Sequence, residues 1–406
     1  MRTSSIRSDR GRAVASAALG MLLVGIASTP AHAESVRSRQ WHLDIMSAEK
    51  IWEITTGRGV TVAVIDSGVD KDNPDLRGRV LDGKDLSPGD SGDEHTDTTG
   101  HGTGMAGLIA GTGEARGGDG AFGLAPGVKI LPIRMPNPDL NKSAKDGAVQ
   151  FNTAAPVAIR YAADNGARVI NISLGVVEGS QQLTDAVKYA LDKGSLVFSS
   201  VGNSADKGNE VEYPGATPGV VGVGGVDKKL SRVKSSQYGP QVDLTGPGEK
   251  TLHACGANSG LCESTGTSDA TALASASAAL IWSKHPEWTN NQVLKVMLNT
   301  VNPPAGSGER NDYLGYGVIR PLRALKTPGD PGPADVRPIP DLPAPESPSP
   351  SGAPSQPSEQ SGAAAPGSVA QEESGSKSGL WVALGIGAAV LVGAAVAVPV
   401  VRSRRR

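Results

Sequence analysis

Ser268 is the third residue of GTSDATALASASAALIWSK, residues 266–284, an alanine-rich stretch that holds four serines. Ser275, Ser277 and Ser283 fall inside the helix this composition predicts over 268–284, where a hydroxyl bonds back to a carbonyl or faces solvent. Ser268 stands at the helix start, where backbone N–H groups and the positive end of the dipole point outward. Position alone leaves two roles open to it, helix N-cap and nucleophile. A nucleophilic serine needs a base, and the base needs a group to orient it.

Histidine is scarce, so candidates for the base are few. His32 belongs to the leader described below. His42 and His95, the latter in the acidic loop DSGDEHTD, read as surface residues; His285, before Pro286, reads as a helix-end residue. His253 has no partner suggested by sequence. His101 differs, because TTGHGTGMAG places glycines at 100, 102 and 104 around it just as an apolar helix begins. A histidine so bare of bulky neighbours suits a general base. Asp66 follows the apolar run VTVAVI directly, so its carboxylate emerges at the end of a strand and can orient an imidazole. Asp70, Asp72 and Asp75 read as turn aspartates. Asn203, between Gly202 and Ser204 at the end of SLVFSSV, could help the Ser268 N–H hold an oxyanion; alone, Gly-Asn signals only a turn. Together these four residues have the chemistry of acyl transfer.

They must be positioned by a larger frame. Short β-branched runs at 60–65, 128–133, 168–172, 195–201 and 220–225 predict buried strands. Helical patterns at 101–112, 153–165 and 181–193 lie between them, and 268–284 and 289–302 follow. Strands alternating with helices imply an α/β fold with a mostly parallel sheet flanked by helices. In such a sheet, chemistry gathers at the C-terminal ends of the strands.

The chain's ends predict its address. Residues 1–33 have the basic, apolar and AHA segments of a signal peptide. Residues 380–401 form an uncharged apolar run of 22 residues, enough for a transmembrane helix, and the basic tail 402–406 predicts a cytoplasmic C-terminus. The Pro-, Ser- and Gly-rich stretch 327–378 reads as a tether. That leaves an N-terminal extension at 34–57 and a catalytic body at 58–326. The extension is too short for a folded inhibitory domain and is expected to pack along the body. A net charge of −2 argues against nucleic acid as a partner. Two cysteines in an extracytoplasmic chain predict a Cys255–Cys262 disulfide. No cofactor is required; the loops 70–75 and 90–97 cluster acids, but none has the spacing of an EF-hand, so no metal is assigned and calcium stays open. The stretch 134–153 reads as an insertion edging the cleft.

The motifs AVIDSGVD, GHGTGMAG, VINISLG, VGN and GTS, in this order, resemble the subtilisin-like serine proteases over about residues 58–300. The resemblance implies the three-layer subtilisin-like fold, an Asp66–His101–Ser268 triad and Asn203 as oxyanion donor. It also implies that Ser173, Leu174 and Gly175 form an edge for an extended peptide; Gly175 and Gly202 would permit close approach of substrate backbone. The signal peptide, linker, C-terminal span and paired cysteines are similar to the mycosins, membrane-anchored proteases associated with type VII secretion. This implies a protein or peptide substrate and a secretion complex in the membrane as partner. A structural or gating role in such a complex is the alternative to proteolysis. The chain departs from the family after GTS, where Asp269 replaces an aliphatic or aromatic residue and Ala272 a proline. An ionised Asp269 beside the nucleophile would favour the helix dipole and oppose negative charge near the oxyanion.

Overall fold

The computed structural model describes residues 34–342, apart from 88, 137–142, 257–259 and 307–309. The segments read as signal peptide, span and basic tail lie outside the described residues. Among the described residues no helix is long and apolar enough to cross a membrane.

Three short helices, α1 (Val36–Arg39), α2 (Trp41–Met46) and α3 (Ala48–Trp52), precede β1 (Thr61–Asp66) and β2 (Lys84–Asp85). Then come α4 (His101–Ala110), β3 (Lys129–Arg134), α5 (Ala144–Asp164), β4 (Val169–Ile172), α6 (Gln181–Asp192) and β5 (Leu196–Ser200). The chain continues through β6 (Val221–Val226), β7 (Leu244–Pro247) and a hairpin of β8 (Thr251–Ala254) and β9 (Leu261–Ser264). It closes with α7 (Thr267–Lys284), α8 (Asn290–Thr300) and α9 (Pro321–Lys326).

Seven strands form one sheet in the order β2-β3-β1-β4-β5-β6-β7. Every pairing in it is parallel. Period-two alternation divides its side chains: Val62 and Val64 join the core containing α4, α7 and α8, whereas Ala63 and Ile65 face α5 and α6. Helix α7 is buried at every residue from Thr267 to Trp282. Its alanines and serines suit a helix that must lie close to neighbours all round. The strand order reverses between β1 and β4, which opens a crevice at their C-terminal ends.

Two elements differ from their sequence reading. Helix α5 begins at Ala144 rather than 153, and Ser143 caps it by accepting from the Asp146 N–H at 3.1 Å. Pro156 lies well inside it. The segment 327–342, assigned by composition to the tether, lies against the body. Ile339 is buried, Gln292 Nε2 donates to Gly332 O at 3.0 Å, and Gly219 N donates to Asp341 Oδ2 at 2.9 Å. The N-terminal extension is also part of this body. Leu43 and Ile51 are buried, and Gln40 Nε2 donates to the carbonyls of Phe122 and Leu252 at 2.7 and 3.1 Å.

Candidate active site

Asp66 is the last residue of β1 and is fully buried. Its Oδ1 accepts from the Ser67 N–H at 2.8 Å and lies 2.7 Å from His101 Nδ1. His101 is the first residue of α4, and the helix start presses tightly on the strand end. A Cβ on Gly102 would sit 2.1 Å from the Gly68 carbonyl, so only glycine there permits the imidazole to reach Asp66. Asp97, which the sequence reading missed, fixes this turn. Its Oδ1 accepts from Ser67 Oγ and Gly100 N, and its Oδ2 from Thr103 N and Oγ1, all at 2.6–2.9 Å. No standard capping signal marks it in the sequence, because Asp97 stands three residues before Gly100, which takes the N-cap position.

The Asp66 carboxylate, by its charge and its hydrogen bond, raises the His101 pKa from 6.5 to about 9 against the opposing effect of burial. Asp269 and Asp97 add smaller contributions in the same direction.

Ser268 is the second residue of α7, and Gly266 takes the N-cap position. Its hydroxyl donates to the Ser173 carbonyl at 3.3 Å. It makes no hydrogen bond with His101; such contacts are often long without substrate. Asn203 follows β5, and its Oδ1 accepts from the Thr267 N–H at 2.9 Å. This holds the side-chain carbonyl against the helix and leaves the NH2 as the free donor end. Of the remaining serines, Ser277 and Ser283 bond back to Leu273 and Leu280 carbonyls. Ser275 instead donates across to Asn171 Oδ1 at 3.0 Å, tying α7 to β4.

Leu174 and Gly175 make no backbone–backbone hydrogen bond, so their N–H and C=O groups offer an edge to an extended chain. Beside them is a cavity of about 650 Å³ lined by Met135, Phe151, Leu174, Gly175, Val176 and Glu212. The stretch 143–153 that borders it is the first turns of α5 rather than an irregular insertion. Gly175 and Gly202 both face the carboxyl of Glu212, which had no signal in sequence.

Asp269 belongs to a buried hydrogen-bonded chain of its own. It is buried, and its Oδ1 lies 2.7 Å from Ser264 Oγ, which is 2.8 Å from His253 Nε2. His253 Nδ1 lies 2.7 Å from the Ala254 carbonyl and must donate to it. The single Ser264 proton then allows two patterns: imidazolium with carboxylate, or neutral imidazole with carboxylic acid. Burial raises the Asp269 pKa and lowers that of His253, both toward the neutral pattern, while the attraction between the two charges opposes each shift. His253 thus has a partner after all, on the hairpin that the Cys255–Cys262 disulfide closes.

Three further readings are corrected. His42 is fully buried rather than superficial, and neither ring nitrogen has a hydrogen-bond partner. Burial, with His253 and Arg37 nearby, lowers its pKa to about 3. The His95 side chain is only 8% exposed, 3.4 Å from Glu94 and 3.7 Å from Asp82. These three bring possible ligand atoms within 4.8 Å of one another, although Asp82 is fully exposed. Asp75 is a buried staple, accepting from Ala115 N at 2.8 Å and Ala121 N at 2.9 Å.

Comparison with known proteins adds relatives to this geometry. Residues 57–317 match the profile of the subtilase family, peptidase S8. Thermitase from Thermoactinomyces vulgaris is 32% identical over 289 residues, covering 71% of this chain and 96% of thermitase. The MycP3 protease from the type VII (ESX-3) secretion system has a similar structure, with a TM-score of 0.61 and 31% identity over 71% of this chain and 88% of that one. A chain in the periplasmic assembly from the ESX-5 inner membrane complex aligns with a TM-score of 0.65 and 26% identity, over 81% and 92% of the two chains.

Proposed function

The chain belongs to the subtilase family of serine-type endopeptidases, and on that premise we propose that Ser268, His101 and Asp66 cleave peptide bonds through an acyl-enzyme outside a membrane. His101 Nε2 takes the Ser268 hydroxyl proton as Oγ attacks the scissile carbonyl, and then delivers it to the leaving amine. Water repeats the sequence in reverse to release the acyl group. Asp66 holds the imidazole by Nδ1 and stabilises its charged form. The Asn203 NH2 and the Ser268 N–H receive the oxyanion; loss of one such side-chain donor costs about 10²–10³-fold in subtilisin. The observation that carries this reading is the 2.7 Å contact of His101 Nδ1 with a fully buried Asp66, beside a serine at the start of a buried helix.

The test is fluorophosphonate labelling of the full-length chain beside Ser268→Ala and His101→Ala. Labelling at Ser268 that both substitutions abolish is expected. A folded wild-type chain that takes no label at any pH would overturn the reading.

The uncharged run 380–401 with its basic tail supports anchoring by one C-terminal span, with the catalytic body outside and the C-terminus in the cytoplasm. Similarity to MycP3 and to a chain of the ESX-5 assembly supports association with type VII secretion. The ESX-5 neighbour also favours a second reading, in which the body is a structural part of such a complex. Secretion that survives Ser268→Ala but is lost on deletion of the chain would single out that role.

A further inference from the structure

Glu212 lies where the ends of β4 and β5 approach each other beside the nucleophile. Tyr213 and Val176 exchange backbone hydrogen bonds at 2.9 and 2.7 Å, which draws Glu212 against the Ser173–Val176 segment. A Cβ on Gly175 would stand 3.0 Å from Glu212 Oε2, and one on Gly202 would stand 2.6 Å from Glu212 Oε1. The carboxyl therefore spans the gap between the two strand ends that carry Ser173 and Asn203. Oε1 is held in place, accepting from Gln237 Nε2 at 2.7 Å and Ser204 Oγ at 3.5 Å. Oε2 has no hydrogen-bond partner among the described residues, and no lysine, arginine or histidine pairs with the group. Glu212 contributes the negative charge to the wall of the adjoining cavity, whose other lining residues are mainly apolar.

A substrate carbonyl attacked by Ser268 must turn its oxygen toward Asn203, with its own chain lying along Leu174 and Gly175. The side chain of that residue leaves between Gly175 and Gly202, and the floor it meets is the Glu212 carboxyl. We propose that Glu212 is a specificity-determining residue that selects lysine or arginine on the acyl side of the scissile bond. Glycine at 175 and 202 leaves the carboxylate accessible from the cleft, while Gln237 and Ser204 fix its orientation. A cation arriving there makes a charge-assisted hydrogen bond to Oε2. An apolar side chain instead leaves the carboxylate desolvated and unpaired. Burial already pushes the Glu212 carboxyl up, the mark of a half-buried acid without a cation.

This inference rests on the catalytic reading of Ser268, and the experiment separates the two. The full-length chain is labelled with a small fluorophosphonate and with two peptidyl diphenyl phosphonates that differ only in a lysine-like or leucine-like side chain at the acyl position. The lysine-like probe is expected to label Ser268 roughly 10²-fold faster, a discrimination moderated by solvent at the half-exposed carboxylate. Glu212→Gln is expected to abolish most of that ratio through slower reaction of the basic probe, and Glu212→Asp to retain part of it. Fluorophosphonate labelling of each variant reports whether its site is assembled. If the small probe labels Ser268 while the basic probe has no advantage, or if the advantage survives Glu212→Gln, the assignment of Glu212 is overturned and the nucleophile stands. If no probe labels a folded chain, the catalytic reading fails and this inference with it.

Discussion

The base that the mechanism needs is the neutral form of His101, and Asp66 holds that residue's pKa up at about 9. At pH 7 a group titrating there is neutral in roughly one molecule in a hundred, and at pH 8 in about one in ten. The rate of fluorophosphonate labelling should therefore rise close to tenfold per pH unit from 6 to 8 and level off near 9. Replacing Asp66 by Asn removes the largest cause of the shift, so the midpoint should fall toward 6.5. The plateau rate should also fall, by about 10⁴ if the loss matches that in the Ser-His-Asp triad of chymotrypsin-type proteases, because an amide does not enforce the required tautomer. The His101 side chain is 38% exposed, so molar salt should lower the wild-type midpoint as well. Stability carries the same signature with a definite sign. The folded pKa lies above the unfolded 6.5, so the contribution of this pair is whole below pH 6.5 and is lost as pH rises through about 9. Labelling against pH on wild type and Asp66→Asn, with thermal melts over the same range, tests the whole chain of reasoning. A wild-type midpoint at or below 7, or one that Asp66→Asn leaves in place, would refute it.

Substitutions at three other residues have expected outcomes. The His42 pKa is lowered to about 3 in the fold, so its contribution is whole above pH 6.5 and drains away as pH falls toward 3, at up to roughly 1.4 kcal/mol per unit; His42→Phe should remove that slope from acid denaturation curves. Asp75→Ala strips two backbone N–H groups of their acceptor and should cost about 2–4 kcal/mol in denaturant unfolding, with faster hydrogen exchange at Ala115 and Ala121. Asp269→Asn mimics the neutral carboxyl and can still donate to Ser264, so it should stay within about 1 kcal/mol of wild type at neutral pH, whereas Asp269→Ala should lose about 2 kcal/mol. Equal losses in the two Asp269 variants would count against the neutral pattern.

The residues proposed as catalytic were legible as candidates because their signals are local. An aspartate after five apolar residues, a histidine among glycines and a serine opening a helix each state a position on an element, and the strands themselves announce their burial by composition. Local pattern also misled. The helical pattern starting at 153 placed the start of α5 nine residues late, because the turns from Ala144 onward follow a sequence with little apolar periodicity and a cap at Ser143. Residues 327–342 looked like free tether because they are rich in proline and poor in large apolar side chains, yet their backbone carbonyls take hydrogen bonds from amide side chains of α8.

What the sequence determined by itself was the alternation of strands and helices, and hence a parallel sheet with Asp66, His101, Ser268 and Asn203 at element ends facing one crevice. The surroundings of those residues were decided only by tertiary structure. His42 and Asp75 are buried by segments far away in sequence, Asp269 is linked through Ser264 to His253 on a neighbouring hairpin, and Glu212 is drawn to Gly175 because Val176 pairs with Tyr213. Periodicity reports which face of an element is apolar; the charge and access of a polar group depend on which distant segments close around it, and that follows from long-range packing.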